Sequence, residues 1–123
     1  MDEIIDFIIK YSYHTDREKI KEVIEKHLEY GTCDFALDKD GEIIFMCRWN
    51  VNKNTAEVLD LIIAPKYRNR RKIFKWIIAR NWGKFPWVRF LKFKRETKYP
   101  ERKPKIYSIE EIMGGHRRTE VNV

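Results

Sequence analysis

Residues 55–80, TAEVLDLIIAPKYRNRRKIFKWIIAR, constrain the fold of this chain more than any other part of the sequence. The apolar run at 56–64 predicts a buried strand, and Pro65 ends it because proline cannot donate a hydrogen bond to a sheet ladder. Five cationic residues lie within positions 66–72, and the apolar spacing of residues 70–82 predicts a helix. The sequence therefore predicts a strand that enters a helix through a strongly basic connection.

Such a connection can bind phosphate, because the first N–H groups of a helix are unpaired and carry partial positive charge. This connection contains no glycine, the residue that lets backbone amides come closest to a phosphate. Arginine side chains can bind phosphate bidentately in place of those amides. The expected site is thus an anion site in which side-chain cations carry much of the binding.

Hydrophobic periodicity predicts two helices, three strands, a third helix and a fourth strand, in the order ααβββαβ. The expected helices span residues 2–11, about 15–31 and 70–82. The expected strands span residues 33–37, 42–51, 56–64 and 87–95. Thr15 and Glu18 have the spacing of a capping box, and Gly83 is placed to end the third helix. The third and fourth strands should be parallel neighbours, because a helix connects them.

These elements imply an α+β architecture with a mixed sheet flanked by helices. Residues 96–105 are expected to form a basic loop, and residues 108–111 a capped turn of helix. We expect one domain over 1–115 and a flexible tail over 116–123. No run of 18 apolar residues exists and the N-terminus is acidic, which favours a cytoplasmic protein without a membrane span.

The histidine and cysteine residues show no pattern typical of a metal site. The three histidines are scattered along the chain, and the two cysteines lie near or within predicted strands. None of them has the spacing of metal ligands, so no metal is expected and both thiols should be free and buried. The residues concerned are His14, His27, His116, Cys33 and Cys47.

Charge is distributed unevenly along the chain. Residues 1–65 contain 8 Lys or Arg and 14 Asp or Glu, a net charge of −6, whereas residues 66–105 contain 16 and 2, a net charge of +14. Clustered cations repel one another, so this asymmetry favours an anionic partner for 66–105. The alternative is an ordinary solvated surface that the acidic half partly compensates.

The order of elements and the residues 58–68, VLDLIIAPKYR, resemble the Gcn5-related N-acetyltransferase (GNAT) superfamily. In that family a strand ends in hydrophobic-x-Pro-x-Tyr-Arg and is followed by a turn of the form Arg/Gln-x-x-Gly-x-Gly/Ala. Arg68 takes the first position of the turn, while Arg71 and Ile73 replace its two small residues. The chain also begins with helices where relatives usually have a first strand, and the comparison with the family leads us to expect a fold truncated at the C-terminus, with little room for the last two family strands.

The resemblance implies an acyl-CoA-dependent N-acyltransferase, or a CoA-binding relative of one, with acetyl-CoA as cofactor and an amine as acceptor. The backbone of one segment would align the pantetheine arm: Leu61, Ile62, Ile63 and Ala64. A second set of residues would hold the phosphates: Arg68, Asn69, Arg70, Arg71 and Lys72.

The resemblance also points to catalytic residues, although the usual ones are not in place. Many relatives have a glutamate general base six residues before the proline, where this chain has Leu59. Glu57, two residues earlier on the same strand face, is the candidate base, with a surface carboxylate as the alternative. Tyr99 and Tyr107 are the candidates for the general acid that protonates the leaving thiolate.

Two other functions remain open from the sequence. The first is a non-catalytic GNAT-like module that binds nucleic acid or an acidic protein through residues 66–105, where cations and aromatic residues alternate. Against a role in stacking on bases, four of the aromatic residues are expected in the core: Trp76, Trp82, Phe90 and Phe93. The second is a small accessory protein of a larger assembly, such as one in a phage or mobile element.

Overall fold

A computed structural model describes residues 1–68, 71–83, 87–93 and 105–114, with Arg71 described by its backbone alone. The helices are α1 (Asp2–Tyr11), α2 (Arg17–Glu29), α3 (Arg71–Trp82) and the single turn α4 (Ile109–Ile112), and the strands are β1 (Cys33–Leu37), β2 (Ile43–Asn52), β3 (Thr55–Ile63), β4 (Phe90–Phe93) and β5 (Lys105–Ser108). A short 3₁₀ helix, Pro65–Tyr67, follows β3. The α+β class with a helix-flanked mixed sheet is confirmed.

The sheet has the strand order β1-β2-β3-β4-β5. β1 is antiparallel to β2, and β3 is parallel to β4 over Thr55–Val58 against Phe90–Phe93, as the predicted βαβ unit requires. β4 is also antiparallel to β5, which the sequence analysis placed partly in a loop at 96–105. The prediction missed β5 because its first three residues, Lys105, Ile106 and Tyr107, are all exposed and show no alternation; pairing with β4 fixes their conformation.

Helix ends agree with the sequence patterns, with one correction. The N-cap of α2 is Asp16, whose side chain accepts a hydrogen bond from the backbone N–H of Lys19 at 3.3 Å, so Thr15 is not the cap. Aspartate caps a helix as well as threonine does, and the register is therefore one residue later than predicted. Gly83 ends α3 as expected, since a Cβ there would lie 2.5 Å from the carbonyl oxygen of Ala79.

The chain divides into two compact units. The first comprises residues 1–49 and 60–69, and its core joins one face of α1 and α2 to β2 and β3. Isoleucine at helical spacing in α1 and α2 supplies most of this core. One residue of β2, one near the end of β3 and Ala64 directly after that strand complete it. Its buried members are Ile4, Ile5, Phe7, Ile8, Ile20, Ile24, Met46, Ile62 and Ala64.

The second unit comprises residues 50–59 and 70–123. Its described buried side chains come from α3, β3, β4, α4 and the residues just before β4, and include Ala56, Val58, Ile77, Ile78, Trp82, Val88, Leu91 and Ile109. Trp82 is buried as predicted, but Trp76 and Phe90 are 40% and 37% exposed. These two aromatic residues were wrongly placed in the core, because α3 turns Trp76 outward and only alternate positions of β4 face inward.

Residues 116–123 and 94–104 lie outside the described ranges, so the flexible tail and the single domain over 1–115 stay predictions. None of the described helices has the length and apolar character that crossing a bilayer requires. Within the same ranges, no three His, Cys, Asp or Glu side chains are grouped closely enough to hold a metal ion.

Candidate functional site

Arg68 lies directly after the 3₁₀ helix that follows β3, and two contacts hold its guanidinium. Its Nε donates to the carbonyl oxygen of Ile63 at 2.8 Å, and its Cζ lies 5.8 Å from the centroid of the Tyr11 ring. Within the described part of the chain, its two Nη atoms make no hydrogen bond. The side chain is exposed and fixed at one nitrogen, which leaves the rest of the guanidinium able to bind an anion.

The end of β3 offers backbone groups along one edge. The N–H of Ala64 donates to the carbonyl oxygen of Ile44 in β2 at 2.8 Å. Alternate residues of a strand direct their backbone groups to opposite edges, so Leu61 and Ile63 direct theirs away from β2. The described parallel pairing with β4 stops at Val58, and the five following residues of β3 lie beyond it.

Several predicted phosphate ligands cannot be placed. Asn69 and Arg70 fall outside the described residues, and so does Tyr99. Arg71 is the first residue of α3 and only its backbone is described, whereas Lys72 is exposed in the first turn of that helix. Of the five predicted phosphate ligands, side-chain positions are therefore known for Arg68 and Lys72.

The two described candidates for proton transfer lie on opposite faces of the sheet. Glu57 pairs in register with Lys92, and its Oε2 lies 3.9 Å from the Lys92 Nζ. Tyr107 pairs with Leu91 and makes an edge contact with Phe93, which in turn packs near Phe74 of α3. Glu57 therefore lies on the face away from α3, and Tyr107 lies on the face that α3 covers.

The first unit contains a groove of about 550 Å³ beside the end of β3. It is lined by α1, the turn between β1 and β2, and the residues that follow β3, and five lining side chains are charged: Glu3, Asp6, Lys10, Glu42 and Lys66.

One cation of this groove is tied to the β1–β2 turn. Lys66 Nζ lies 3.3 Å from Asp38 Oδ2, and the Tyr67 hydroxyl donates to the same oxygen at 3.1 Å. A backbone hydrogen bond from Glu42 is the main reason that the pKa of Asp38 is lowered, and hydrogen bonding to Asp38 raises the pKa of Lys66. The 3₁₀ helix is thereby anchored to the hairpin.

A polar network that the sequence analysis missed crosses the first unit. Arg48 on β2 donates from Nε to Asp60 Oδ2 at 2.8 Å, and its Nη2 lies 2.8 Å from the same oxygen. The other carboxylate oxygen, Oδ1, lies 3.2 Å from Nε2 of His14 in the loop between α1 and α2. Arg48 Nη1 lies 3.3 Å from Nε2 of His27 on α2, whose Nδ1 lies 2.7 Å from the Thr32 hydroxyl oxygen. No sequence motif brings these residues together.

The contacts of His27 fix its protonation state. Arg48 can act only as a donor, so Nε2 of His27 accepts and its Nδ1–H donates to Thr32. Desolvation by burial, followed by the charge of Arg48, lowers the pKa of His27. The ring is therefore neutral in the folded protein over a wider pH range than in the unfolded chain.

This lowered pKa makes stability depend on pH. We expect the free energy of unfolding to fall between pH 7.5 and 5.5, because the unfolded chain gains a proton at His27 through its ordinary pKa while the folded chain resists it. The stability that the neutral His27 ring contributes is complete above pH 6.5, and it is lost as the pH falls toward the pKa of His27 in the folded protein. Urea unfolding of wild type and His27→Gln at both pH values measures it, and a variant with undiminished pH dependence would contradict this origin.

Neither cysteine forms a disulfide bond. Burial raises the pKa of Cys33 to about 11, and Cys47 is fully buried. A thiol with a raised pKa carries little thiolate at neutral pH, so Cys33 does not suit nucleophilic chemistry, while burial keeps a substrate from the Cys47 sulfur.

No protein-family model matches the sequence, and no curated protein matches it either. Solved structures do match in fold. The GNAT-like decarboxylase GphF, in complex with isobutyryl-CoA, is 12% identical with a TM-score of 0.58, covering 92% of this chain and 66% of its own. A variant of the spermidine N-acetyltransferase SpeG from Vibrio cholerae is 15% identical with a TM-score of 0.51, covering 80% of this chain and 65% of its own.

A third structure, a SpeG chimera from Vibrio cholerae and hSSAT, is also 15% identical with a TM-score of 0.51, and covers 94% of this chain and 72% of its own. The chain thus spans about two thirds of the length of these proteins. The fold of the chain is a divergent GNAT fold, which confirms the resemblance drawn from residues 58–68.

Proposed function

We propose that this chain binds an acyl-CoA and transfers its acyl group to an amine. The fold supports this proposal, since its neighbours include a protein in complex with isobutyryl-CoA and spermidine N-acetyltransferases. The basic connection between β3 and α3 supports it further, because CoA carries a pyrophosphate and a 3′-phosphate.

The observation that carries the proposal is the position of Arg68. Its guanidinium is fixed at the exit of β3 by the carbonyl of Ile63 and by the Tyr11 ring, and it keeps two nitrogen atoms for a ligand. Where the family motif has small residues, this chain has Arg71 and Ile73. We therefore assign phosphate binding to side chains, Arg68, Asn69, Arg70, Arg71 and Lys72, rather than to a glycine-rich turn.

The remaining groups would serve the transfer itself. The edge of β3 at Leu61 and Ile63 would bind the pantetheine amides, as one strand binds another. The amine nitrogen then attacks the thioester carbonyl, the C–S bond breaks, and the CoA thiolate leaves and takes up a proton. Glu57 is the candidate to accept the proton of the amine, and Tyr99 or Tyr107 is the candidate to protonate the thiolate.

A second candidate function is binding of nucleic acid or an acidic protein by residues 66–105. Three aromatic side chains of this region are partly exposed: Trp76 at 40%, Trp87 at 58% and Phe90 at 37%. Exposed rings can stack on unpaired bases while lysine and arginine neutralise phosphates. This alternative requires no catalysis.

Calorimetric titration with acetyl-CoA tests the first proposal. We expect saturable binding that Arg68→Ala weakens about tenfold or more, because a hydrogen bond to a charged group contributes about 1.5–3 kcal/mol. Arg70→Ala/Arg71→Ala should weaken it further. Titration with dephospho-CoA, which lacks the 3′-phosphate, shows whether these cations bind that phosphate or the pyrophosphate. Turnover is then measured with spermidine as the amine.

Lys19→Ala/Lys21→Ala removes two exposed cations from α2 and serves as the matched control for charge. It should bind acetyl-CoA as wild type does. Absence of acetyl-CoA binding, combined with single-strand or duplex DNA binding that weakens steeply between 50 and 200 mM salt, would favour the second candidate function instead.

A further inference from the structure

The network around Asp60 contains a histidine placed to move a proton. His14 lies in the loop between α1 and α2, and its Nε2 is 3.2 Å from Asp60 Oδ1. Its side chain is 40% exposed, while that of Asp60 is 15% exposed. A largely buried carboxylate therefore holds a ring that solvent, or a ligand, can reach.

Hydrogen bonding determines the tautomer of this ring. Arg48 occupies Oδ2 of Asp60 through two nitrogen atoms at 2.8 Å, which leaves Oδ1 for His14. A carboxylate paired with a guanidinium can only accept, so Nε2 of His14 carries the proton. Nδ1 is then the unprotonated nitrogen, and among the described residues it has no hydrogen-bond partner.

The location of the pair fits a role in the proposed transfer. Asp60 directly precedes Leu61, and we assign the pantetheine arm to the edge of β3 at Leu61 and Ile63. A protonated amine cannot attack a thioester, and imidazole is the side chain that changes charge between pH 5 and 8. Glu57, the other candidate base, lies three residues earlier in the sequence of β3, and its Oε2 is 3.9 Å from Lys92 Nζ.

We propose that His14, positioned by Asp60 and Arg48, is the general base that takes a proton from the acceptor amine. The inference rests on the proposed function. Nδ1 accepts one proton from the ammonium group, and the freed nitrogen pair forms the C–N bond. The C–S electrons leave with the CoA thiolate, and the second proton that the nitrogen loses goes to that thiolate through the general acid proposed above. The imidazolium that results is stabilised by the Asp60 carboxylate.

A purely structural role for His14 predicts different behaviour. The Asp60–Arg48 pair is complete without it, and the ring is exposed enough for water to replace it. Under that reading the ring only ties the loop to β3, together with the Ser12 hydroxyl that accepts from the His14 N–H at 3.2 Å. Replacing His14 would then change neither the pH profile nor the response to added imidazole.

The groups that set the charge around His14 come from four elements. Asp60 on β3 contacts the ring, and Arg48 on β2 lies behind that carboxylate. His27 on α2 contacts Arg48, and Cys33 on β1 lies close enough for Arg48 and Asp60 to influence its pKa. Because several groups influence this charge, the pH profile of wild-type activity has to be compared with the profile of a variant that changes His14 alone.

The test measures kcat/KM for acetyl transfer from acetyl-CoA to spermidine between pH 5.5 and 9 in wild type, His14→Gln and His14→Ala. Glutamine keeps a donor for Asp60 but no base. We expect kcat to fall about 100-fold in both variants with little change in acetyl-CoA affinity, loss of the acidic limb of the profile, and partial rescue of His14→Ala by imidazole. Nitrogen-15 imidazole spectra of wild type should show the proton on Nε2.

Tyr13→Ala is the matched control, because Tyr13 is 90% exposed in the same loop. It should leave the profile unchanged. If the His14 variants turn over as fast as wild type, or if the His14 ring is protonated on Nδ1, this inference is overturned while the proposed function stands. A wild-type protein that does not bind acetyl-CoA overturns the proposed function, and one that binds it without turnover overturns the assignment of a base.

Discussion

Replacing Ile5 by alanine is expected to lower the free energy of unfolding by about 3 kcal/mol, since removing a buried isoleucine leaves a cavity as well as losing apolar burial. Ile5 is 1% exposed and lies in the core that α1 and α2 share with β2 and β3. A domain of this size is stabilised by about 5–15 kcal/mol in total, so the loss is a large fraction. Urea unfolding followed by far-ultraviolet circular dichroism measures it.

Leu28→Ala is the control, because Leu28 lies on α2 in the same unit and is 37% exposed. It should cost less than about 1 kcal/mol, in line with substitutions at surface positions. Equal losses in the two variants would mean that α1 does not pack into the core as the structure has it.

The sequence predicted elements well where one local rule was sufficient. α1 has the bounds expected from its isoleucine stripe, and β3 stops just before Pro65 because a proline cannot extend the ladder. β5 could not be predicted, since its exposed residues take strand conformation only through pairing with β4. The cap of α2 shifted by one residue because Thr15 and Asp16 are both good capping residues.

The candidate site also contains residues that a local sequence pattern indicates and residues that only the fold brings together. Arg68 and the segment of β3 before Pro65 could be proposed from the sequence, because they lie in one contiguous motif, and their roles stay predictions. The network of His14, Arg48 and Asp60 could not, because its members come from a loop and two strands and His14 is 46 residues from Asp60. Only the fold brings them together, and a scattered histidine in a sequence gives no sign of its partner.

The same network gives the second large effect on stability. Asp60→Asn or Arg48→Met should each lower the free energy of unfolding by about 3 kcal/mol or more, because each leaves one largely buried charge without its partner. The side chains of Arg48 and Asp60 are 17% and 15% exposed, so water compensates little. The double variant Arg48→Met/Asp60→Leu should be far less destabilised than the sum of the singles, since it removes both charges at once.

Glu57→Gln provides the comparison, because the pair Glu57–Lys92 is also an ion pair between strand residues. Its charged atoms are 3.9 Å apart and its side chains are 31% and 37% exposed, so its loss should cost less than about 1 kcal/mol. Additive losses in the Arg48 and Asp60 variants, measured by urea unfolding as a double-mutant cycle, would show that the two side chains are hydrated independently. In that case Asp60 would not be rigid enough to position His14, and the mechanism inferred for that histidine would lose its structural basis.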